Sequence, residues 1–209
     1  MSDNALAALR TAIGGWMSGR RLSHTLGVEK EIVALGELYL PQNIPELRAA
    51  ALLHDLTKER STVEQLSLCE HYHITLTAAD RLSPKILHAK TAPPVICEQF
   101  PAFATPAVLD AIEKHTTGAR EMSVFAKLLY LADYIEETRT FPDCVALRHA
   151  FWDGITTLSV GDRMLHLNRV LIRSFDMTIC SLIEENTVIS PETVDARNAL
   201  IEEISMHNF

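Results

Sequence analysis

Apolar residues recur at intervals of three and four along most of the chain, as in helices with one buried face. Between residues 22 and 40 this spacing predicts a long amphipathic helix. Residues 46–58 and 121–138 are more strongly apolar, and each predicts another helix. The pattern therefore indicates a protein that is helical nearly throughout.

Local signals predict where other helices begin. Ser61 and Glu64 match a capping box, so a helix should run over 62–72. Thr105 followed by Pro106 predicts a helix start, with the helix ending near His115. The remaining predictions are helices over 75–90 with an interruption near Pro84, 142–151, 161–186 and 191–206, a loop at Pro93-Pro94 and Pro101, and a turn over HTTG (115–118).

The organisation along the chain favours one domain. We find no internal repeat, no Gly/Ser linker and no convincing strand, so an all-α, single-domain helical bundle is the economical interpretation. Within it, we predict an N-terminal helical extension (1–20), a core (21–140) and C-terminal helices packed on that core (141–209).

Composition narrows the classes of function. The 209 residues carry a net charge of −8 and no long basic stripe, which disfavours nucleic acid as the main partner. No apolar run approaches the roughly 18 residues of a membrane span, and the N-terminus lacks signal-peptide order. The four cysteines form no C-x-x-C pair, so we expect reduced thiols in a cytoplasmic protein.

Four scattered residues suggest metal chemistry. His54-Asp55 follows the apolar run LRAAALL, and Asp133 lies inside KLLYLADYI. A carboxylate there is costly to bury unless positive charge lies against it. With His24 upstream, two imidazoles and two carboxylates suit a divalent metal such as Fe, Mn, Zn or Co, and facing helices can assemble such a site. A single histidine of this kind would more often be a hydrogen-bonded core residue.

Other polar residues are candidates for phosphate contacts. Lys58, three residues after Asp55, could donate to a phosphate or be a solvated lysine. His88 and His115 could be ligands of a second metal, phosphate donors or general acids, and Arg139 could clamp phosphate or pair with nearby glutamates. Thr116 and Gly118 lie in the HTTG turn, whose backbone N–H groups could face an anion.

With these motifs in place, the chain resembles the HD-domain superfamily of metal-dependent phosphohydrolases. Within it, the resemblance is to the YqeK-type branch, the symmetrical bis(5′-nucleosyl)-tetraphosphatases. The resemblance is strong over residues 21–139 and weak elsewhere. It rests on RLSHTLGVEKEIVALGELY, RAAALLHDLTKE, ILHAKTA and AIEKHTTGAREMSVFAKLLYLADYIEETR, and more loosely on ARNALI.

This resemblance implies an HD-type helical fold that cleaves diadenosine tetraphosphate into two ADP at an iron-type centre. A nucleotide would be the small-molecule partner. We expect no membrane partner, and the protein could form a homodimer. The alternatives are another HD-type nucleotide phosphohydrolase, a non-catalytic nucleotide sensor, or a structural helical module. The implied roles are metal binding by His24, His54, Asp55 and Asp133, catalysis by Asp55, Lys58, His88 and His115, and substrate contacts from His24, Lys58, His88, His115, Thr116, Asp133 and Arg139.

Overall fold

The computed structural model describes residues 1–206, and residues 207–209, which include His207, lie outside the described part. The all-α prediction is confirmed, since every regular element in residues 1–206 is an α-helix or a short 3-10 turn. The helices are α1 (Asp3–Ile13), α2 (Gly19–Tyr39), α3 (Ile44–Leu53), α4 (Thr62–His71), α5 (Ala78–Leu82), α6 (Leu87–Gln99), α7 (Pro106–Lys114), α8 (Val124–Ile135), α9 (Pro142–Trp152), α10 (Val160–Glu184) and α11 (Pro191–Met206).

Helices α3 and α8 form the centre of the molecule. Residues 49–53 of α3 and 125–132 of α8 are buried in unbroken runs. A helix that is apolar all round is stable only when neighbours cover every face. Here α2 packs against both central helices, α1 and α7 also pack on α3, and α7 and α9 pack on α8. The two strongly apolar stretches of the sequence thus became the core.

Side-chain caps begin α4 and α7 where the sequence predicted, and a further cap, not predicted, begins α2. The Ser61 hydroxyl accepts a hydrogen bond from the Glu64 backbone N–H, and the Glu64 carboxylate accepts one from the Ser61 backbone N–H. The capping box is therefore confirmed. Thr105 caps α7 with Pro106 in its first turn. Ser18 caps α2, the helix that carries His24.

The prediction of a loop at Pro93-Pro94 is wrong, because both prolines lie inside α6. Each proline lacks the N–H that a helix interior normally uses, at a cost of about 3 kcal/mol per residue. The helix nevertheless buries Ala92, Val95 and Ile96 in the core. Tertiary burial has therefore overridden the local signal.

His54 and Asp55 were predicted inside a helix over 46–58, and this placement is wrong. Helix α3 ends at Leu53, His54 is its C-cap, and residues 54–59 form consecutive turns. The backbone N–H of Lys58 donates to the carbonyl of Asp55 at 3.0 Å. The turn can present His54 and Asp55 to the same side, which neighbouring positions on a regular helix do poorly.

The HTTG turn follows α7 and packs against the C-terminal helix pair, α10 and α11. Gly118 has φ +69°, a left-handed conformation that favours glycine. A Cβ at this position would lie 2.7 Å from Cζ of Phe175 and 2.8 Å from Cβ of Ala196. Glycine is therefore required both for the backbone angle and for the close approach to the two helices.

Two further properties concern the described chain as a whole. No helix within residues 1–206 combines the length and the apolar character needed to cross a membrane. Cys69, Cys97, Cys144 and Cys180 are all free thiols. The cytoplasmic location and the division at residues 20 and 140 stay predictions.

Replacing Gly118 with Ala should lower the free energy of unfolding by about 2–4 kcal/mol, from backbone strain together with overpacking against Phe175. Chemical denaturation followed by circular dichroism measures the change. Gly161→Ala is the matched control, because Gly161 lies in α10 with open space around it, where alanine should be neutral or stabilise by up to about 1 kcal/mol. Equal stability of Gly118→Ala and the wild type would contradict this account of the turn.

Candidate metal and phosphate site

Five segments far apart in the chain converge on Asp55, whose side chain is 3% exposed. Each predicted residue lies on the inner face of a helix, at its end, or in the turn that follows it. The contributions are His24 from α2, His54, Asp55 and Lys58 from the turn after α3, His88 from α6, His115 and Thr116 from the end of α7, and Asp133 and Arg139 from α8 and the turn beyond it.

The four residues predicted as metal ligands lie together. Nε2 of His24 is 3.0 Å from Oδ1 of Asp133 and 3.7 Å from Oδ2 of Asp55. Nε2 of His54 is 3.3 Å from the same Asp55 oxygen and 3.8 Å from Oδ1 of Asp133. The two imidazoles and two carboxylates thus surround one small volume.

Hydrogen bonds to Nδ1 set the orientation of these imidazoles. His24 Nδ1 donates to Oε1 of Glu136 at 3.0 Å, and His54 Nδ1 donates to the carbonyl oxygen of Ala51 at 2.7 Å. Carboxylate and carbonyl oxygens only accept, so Nδ1 carries the proton in the neutral rings. In this neutral form, each Nε2 has a lone pair directed at the aspartates. The tautomer with its proton on Nδ1 is the one that can bind a metal through Nε2.

These residues fit a divalent cation. Among the described residues, Nε2 of His24, Nε2 of His54 and Oδ1 of Asp55 are buried without a hydrogen-bond partner, although such atoms are normally satisfied. Donor atoms of His24, His54 and Asp133 lie within 4.8 Å of one another, as do those of His54, Asp55 and His115. Imidazole and carboxylate donors at this separation match the borderline ligand chemistry of first-row metals.

His88 and His115 form the other half of the cluster, on the opposite oxygen of Asp55. Their Nε2 atoms lie 3.3 and 3.6 Å from Oδ1 of Asp55 and 3.1 Å from each other. Their Nδ1 atoms donate to the carbonyls of Lys85 and Ile112. Asp55 therefore lies between two pairs of imidazoles, each pair facing a different carboxylate oxygen.

Lys58 and Thr116 adjoin this second half. Nζ of Lys58 lies 3.1 Å from Nε2 of His88, and Oγ1 of Thr116 lies 3.2 Å from Nε2 of both His88 and His115. Burial lowers the pKa of Lys58, and the nearby Asp55 charge opposes that shift. The lysine, the threonine and the two imidazoles together offer a compact polar surface beside Asp55.

The two aspartates are held ionised by their neighbours. Burial alone would raise the pKa of Asp55, but the surrounding imidazoles, in their protonated form, hold it well below its usual value. For Asp133, burial is likewise outweighed by the Arg139 guanidinium, whose Nη2 lies 2.7 Å from Oδ1. Arg139 thus pairs with Asp133, and not with the glutamates considered in the sequence analysis.

The histidines differ in their electrostatics. Burial opposes the charged form of His24, but the carboxylates of Asp133 and Glu136 outweigh burial and raise its pKa to about 9. A metal ion binding to this imidazole must therefore displace a proton. Burial lowers the pKa of His88 to about 4, against the opposing effect of Asp55, so that ring is neutral at pH 7.

Sequence reasoning missed three residues that support the site. Nη1 of Arg21 donates to Oδ2 of Asp55 at 2.6 Å. Glu136 is fully buried, and it also accepts hydrogen bonds from the backbone and hydroxyl of Thr138. The available signal was spacing: Arg21 precedes His24 by three residues and Glu136 follows Asp133 by three, and a continuous helix would place the members of each pair on one face.

Arg148, the third missed residue, had no local signal. From α9 its guanidinium donates to three carbonyls in the segment that ends α8, those of Ile135, Glu136 and Arg139. The carbonyls in the last turn of a helix have no partner within the helix. Arg148 supplies partners and so holds the segment that carries Glu136 and Arg139.

An open pocket of about 460 Å³ leads to the first half of the cluster. Its wall is strongly polar and carries four basic side chains. The lining residues are Arg20, Arg21, His24, Asp55, Lys58, Glu59, Asp133, Glu136, Thr138, Arg139, Thr140 and Phe141. Basic groups around buried carboxylates suit an anion that binds together with a cation.

Comparison with known proteins gives a consistent result. The profile of the HD domain family matches residues 21–138. A symmetrical bis(5′-nucleosyl)-tetraphosphatase of Halalkalibacterium halodurans is 33% identical over 190 residues, covering 90% of this chain and 92% of that protein. The protein of the same description from Bacillus subtilis is 27% identical, covering 95% of this chain and 97% of its own length.

A solved structure from Clostridium acetobutylicum has the same fold. It is described as a predicted HD superfamily hydrolase involved in NAD metabolism. It superposes with a TM-score of 0.81 at 28% identity and covers 94% of this chain and 97% of its own. The helical arrangement described above is therefore shared over nearly the whole length of both proteins.

Replacing Asp55 with Asn should abolish high-affinity metal binding, because the substitution removes the charge that both imidazole pairs face. Saturating Mn²⁺ should raise the Tm of the metal-free wild-type protein by about 5–10 °C, and this shift should vanish in Asp55→Asn. Elemental analysis after desalting gives an independent readout. His149→Ala is the control, since His149 is exposed and outside the cluster; a full Mn²⁺ shift in Asp55→Asn would contradict the assignment.

Replacing Glu136 with Gln should weaken metal binding about 10- to 100-fold, because the amide no longer fixes the charge and tautomer of His24. Competition against a fluorescent chelator measures the affinity. Glu137→Gln is a matched control one residue away, as Glu137 is exposed and pairs with the exposed Lys30. Equal affinities for the two variants would show that Glu136 does not position His24.

Proposed function

Because this chain belongs to the HD domain family, and within it to the family of the symmetrical bis(5′-nucleosyl)-tetraphosphatases, we propose that it hydrolyses diadenosine tetraphosphate to two ADP. The observation that carries the proposal is the cluster around Asp55, where four imidazoles, two carboxylates and three cations meet at a pocket open to solvent. Such a surface matches a polyphosphate that binds together with a metal.

In this proposal, His24, His54, Asp55 and Asp133 hold the metal ion. When bound, a divalent cation supplies Lewis acidity at a phosphoryl oxygen and lowers the pKa of a water molecule. We propose iron as the native ion, with Mn, Co and Zn as ions that the same donor set accepts. The support is the donor chemistry of the four residues and the resemblance described for residues 21–139.

The chain's own residues orient the substrate and balance its charge. Lys58 and Arg139 line the pocket with Arg20 and Arg21, so they are available to the oxygens of a bound polyphosphate. Negative charge grows on these oxygens as the central P–O bond breaks, and nearby cations stabilise it. Asp55 and Asp133 keep Arg21 and Arg139 in place through the ion pairs described above.

His88, His115 and Thr116 contact the phosphate that departs. The oxygen of water adds to one central phosphorus, and the bridging oxygen leaves with the other ADP. A phosphate with a second pKa near 6 leaves without requiring full protonation at pH 7. Because the neutral His88 ring carries its proton on Nδ1, its Nε2 can accept a hydrogen bond from Lys58 or bind a further metal, but it has no proton for the phosphate. The acid role predicted for His88 and His115 stays a prediction.

Product analysis tests the proposal directly. Protein purified without oxygen and supplied with Fe²⁺, Mn²⁺ or Co²⁺ should convert diadenosine tetraphosphate to ADP alone. In ¹⁸O-labelled water, half of the ADP should carry one label. ATP with AMP would indicate asymmetric cleavage, a nucleoside or single phosphate released from mononucleotides would indicate another HD-type hydrolase, and ADP binding without turnover under any metal would indicate a sensor.

Replacing Lys58 with Met should lower kcat/KM about 100-fold or more, because an ammonium group beside the reacting phosphates is lost. Steady-state kinetics on diadenosine tetraphosphate measures the effect. Lys30→Met is the control and should change kcat/KM less than twofold, since Lys30 is exposed and pairs with Glu137. A Lys58→Met variant with wild-type kinetics would remove Lys58 from the mechanism.

Two properties of the whole protein stay predictions. A homodimer is to be tested by light scattering at several protein concentrations. To test whether nucleic acid is a partner, binding to double-stranded and single-stranded nucleic acid is measured at low salt, where electrostatic binding is strongest. We expect no binding.

A further inference from the structure

The pocket of about 460 Å³ that leads to Asp55 has one apolar ring at its mouth. Phe141 lines this pocket and is 65% exposed, whereas Asp55 at its floor is 3% exposed. Among the described residues that form the wall, Phe141 alone has a purely apolar side chain. A single exposed apolar residue is ordinary on a protein surface, so the location of Phe141 within a polar binding pocket is what distinguishes it.

The backbone is fixed on both sides of Phe141. Phe141 is the N-cap residue of α9, and its carbonyl accepts a hydrogen bond from the backbone N–H of Val145 at 3.0 Å. Two residues earlier, the carbonyl of Arg139 accepts a hydrogen bond from the Arg148 guanidinium at 2.9 Å. Pro142, in the first turn of α9, restricts the chain further. The ring is therefore held at a defined place beside Arg139, and little backbone entropy is lost when a ligand covers it.

Two side chains at the mouth of the pocket have no partner within residues 1–206. The Phe141 ring contacts no other aromatic ring there, and the exposed Arg20 makes no hydrogen bond or ion pair. Arg21 and Arg139, in contrast, are paired with the aspartates. An aromatic face binds a planar base by stacking, and a guanidinium binds phosphate oxygens. The mouth therefore matches a nucleoside that is attached to phosphates.

Cleavage of a symmetrical substrate at its central bond leaves one ADP on each side of that bond. The side of the cluster beside Asp133 opens into this pocket, so one half of the substrate extends through it. We propose that the base of this half, here called the distal base, stacks on the Phe141 ring, while Arg20 and Arg139 contact the phosphates of the same half. The proposal rests on the proposed function. It makes Phe141 the residue by which the protein prefers dinucleoside to mononucleoside polyphosphates.

Stacking on Phe141 also sets which selectivity this side of the cluster has. Every base presents a flat face, so stacking on an aromatic ring contributes to affinity whatever the base. Selection of one base over another requires polar groups that hydrogen-bond to its edge. The ring of Phe141 offers none, and it projects from the surface with 65% of its area exposed. The distal position therefore accepts different bases and discriminates against a substrate that has no base there.

Calorimetry on the Mn²⁺-loaded protein with two uncleavable analogues isolates the distal base. Both are tetraphosphates with a methylene group in place of the central bridging oxygen. One carries adenosine at both ends, and the other carries adenosine at one end and a methyl ester at the other, so their charges are equal. Phe141→Ala removes the ring and Phe141→Tyr keeps it. Val160→Ala is the control, because Val160 is 82% exposed at the start of α10 and outside the pocket lining. Because these side chains are exposed, the Tm of each variant should stay within about 2 °C of the wild type.

In the wild type, Phe141→Tyr and Val160→Ala, the dinucleoside analogue should bind about 10-fold more tightly than the mononucleoside analogue, because its second base stacks on the ring. In Phe141→Ala this preference should fall below about threefold, while the affinity for the mononucleoside analogue stays within about twofold. Equal binding of both analogues by the wild type, an unchanged preference in Phe141→Ala, or an equal loss for both analogues would overturn the proposal. If the wild type shows the predicted preference but does not convert diadenosine tetraphosphate to ADP, the proposed reaction is rejected and the distal base site stands.

Discussion

Burial of the Asp55 carboxylate is the constraint on which the rest of the structure depends. A charged oxygen pair at 3% exposure is unfavourable unless cations or hydrogen-bond donors meet it. Here Arg21 pairs with one oxygen of Asp55, and the Nε2 atoms of four imidazoles from α2, α6, α7 and the turn after α3 surround both oxygens, an arrangement that fits a bound cation. The helices must pack so that these groups meet, and the core formed by α3 and α8 is what holds them there.

Hydrogen bonds from several parts of the fold set the orientation of the four imidazoles. Three of the four rings donate from Nδ1 to a backbone carbonyl three residues earlier, so the helix or turn itself directs Nε2 inward. His24 differs, because its Nδ1 donates to the buried Glu136. Glu136 is in turn held by Thr138, and the segment around it is held by Arg148. The orientation of His24 therefore depends on Arg148 of α9, which is not itself one of the cluster residues.

The two sides of the cluster differ in character, and this difference suggests how a long substrate lies across it. Near Asp133 the surface is basic and open, as suits phosphates. Near Thr116 the surface becomes apolar and is closed by the C-terminal helices. Asp55 lies between the two surfaces, so the bond that breaks in a symmetrical substrate would lie near the middle of the occupied site.

The sequence by itself determined the helical character, the caps at Ser61 and Thr105, and the identity of the central helices, since each depends on spacing within a few residues. The sequence also indicated the candidate histidines and aspartates, because it shows directly that they lie within or beside apolar segments. Only the tertiary structure decided that Pro93 and Pro94 lie in a helix, that Glu136 and Arg21 support the cluster, and that His88 and His115 face one oxygen of Asp55. These features arise from packing between segments distant in the chain, where the free energy of burial outweighs local preference.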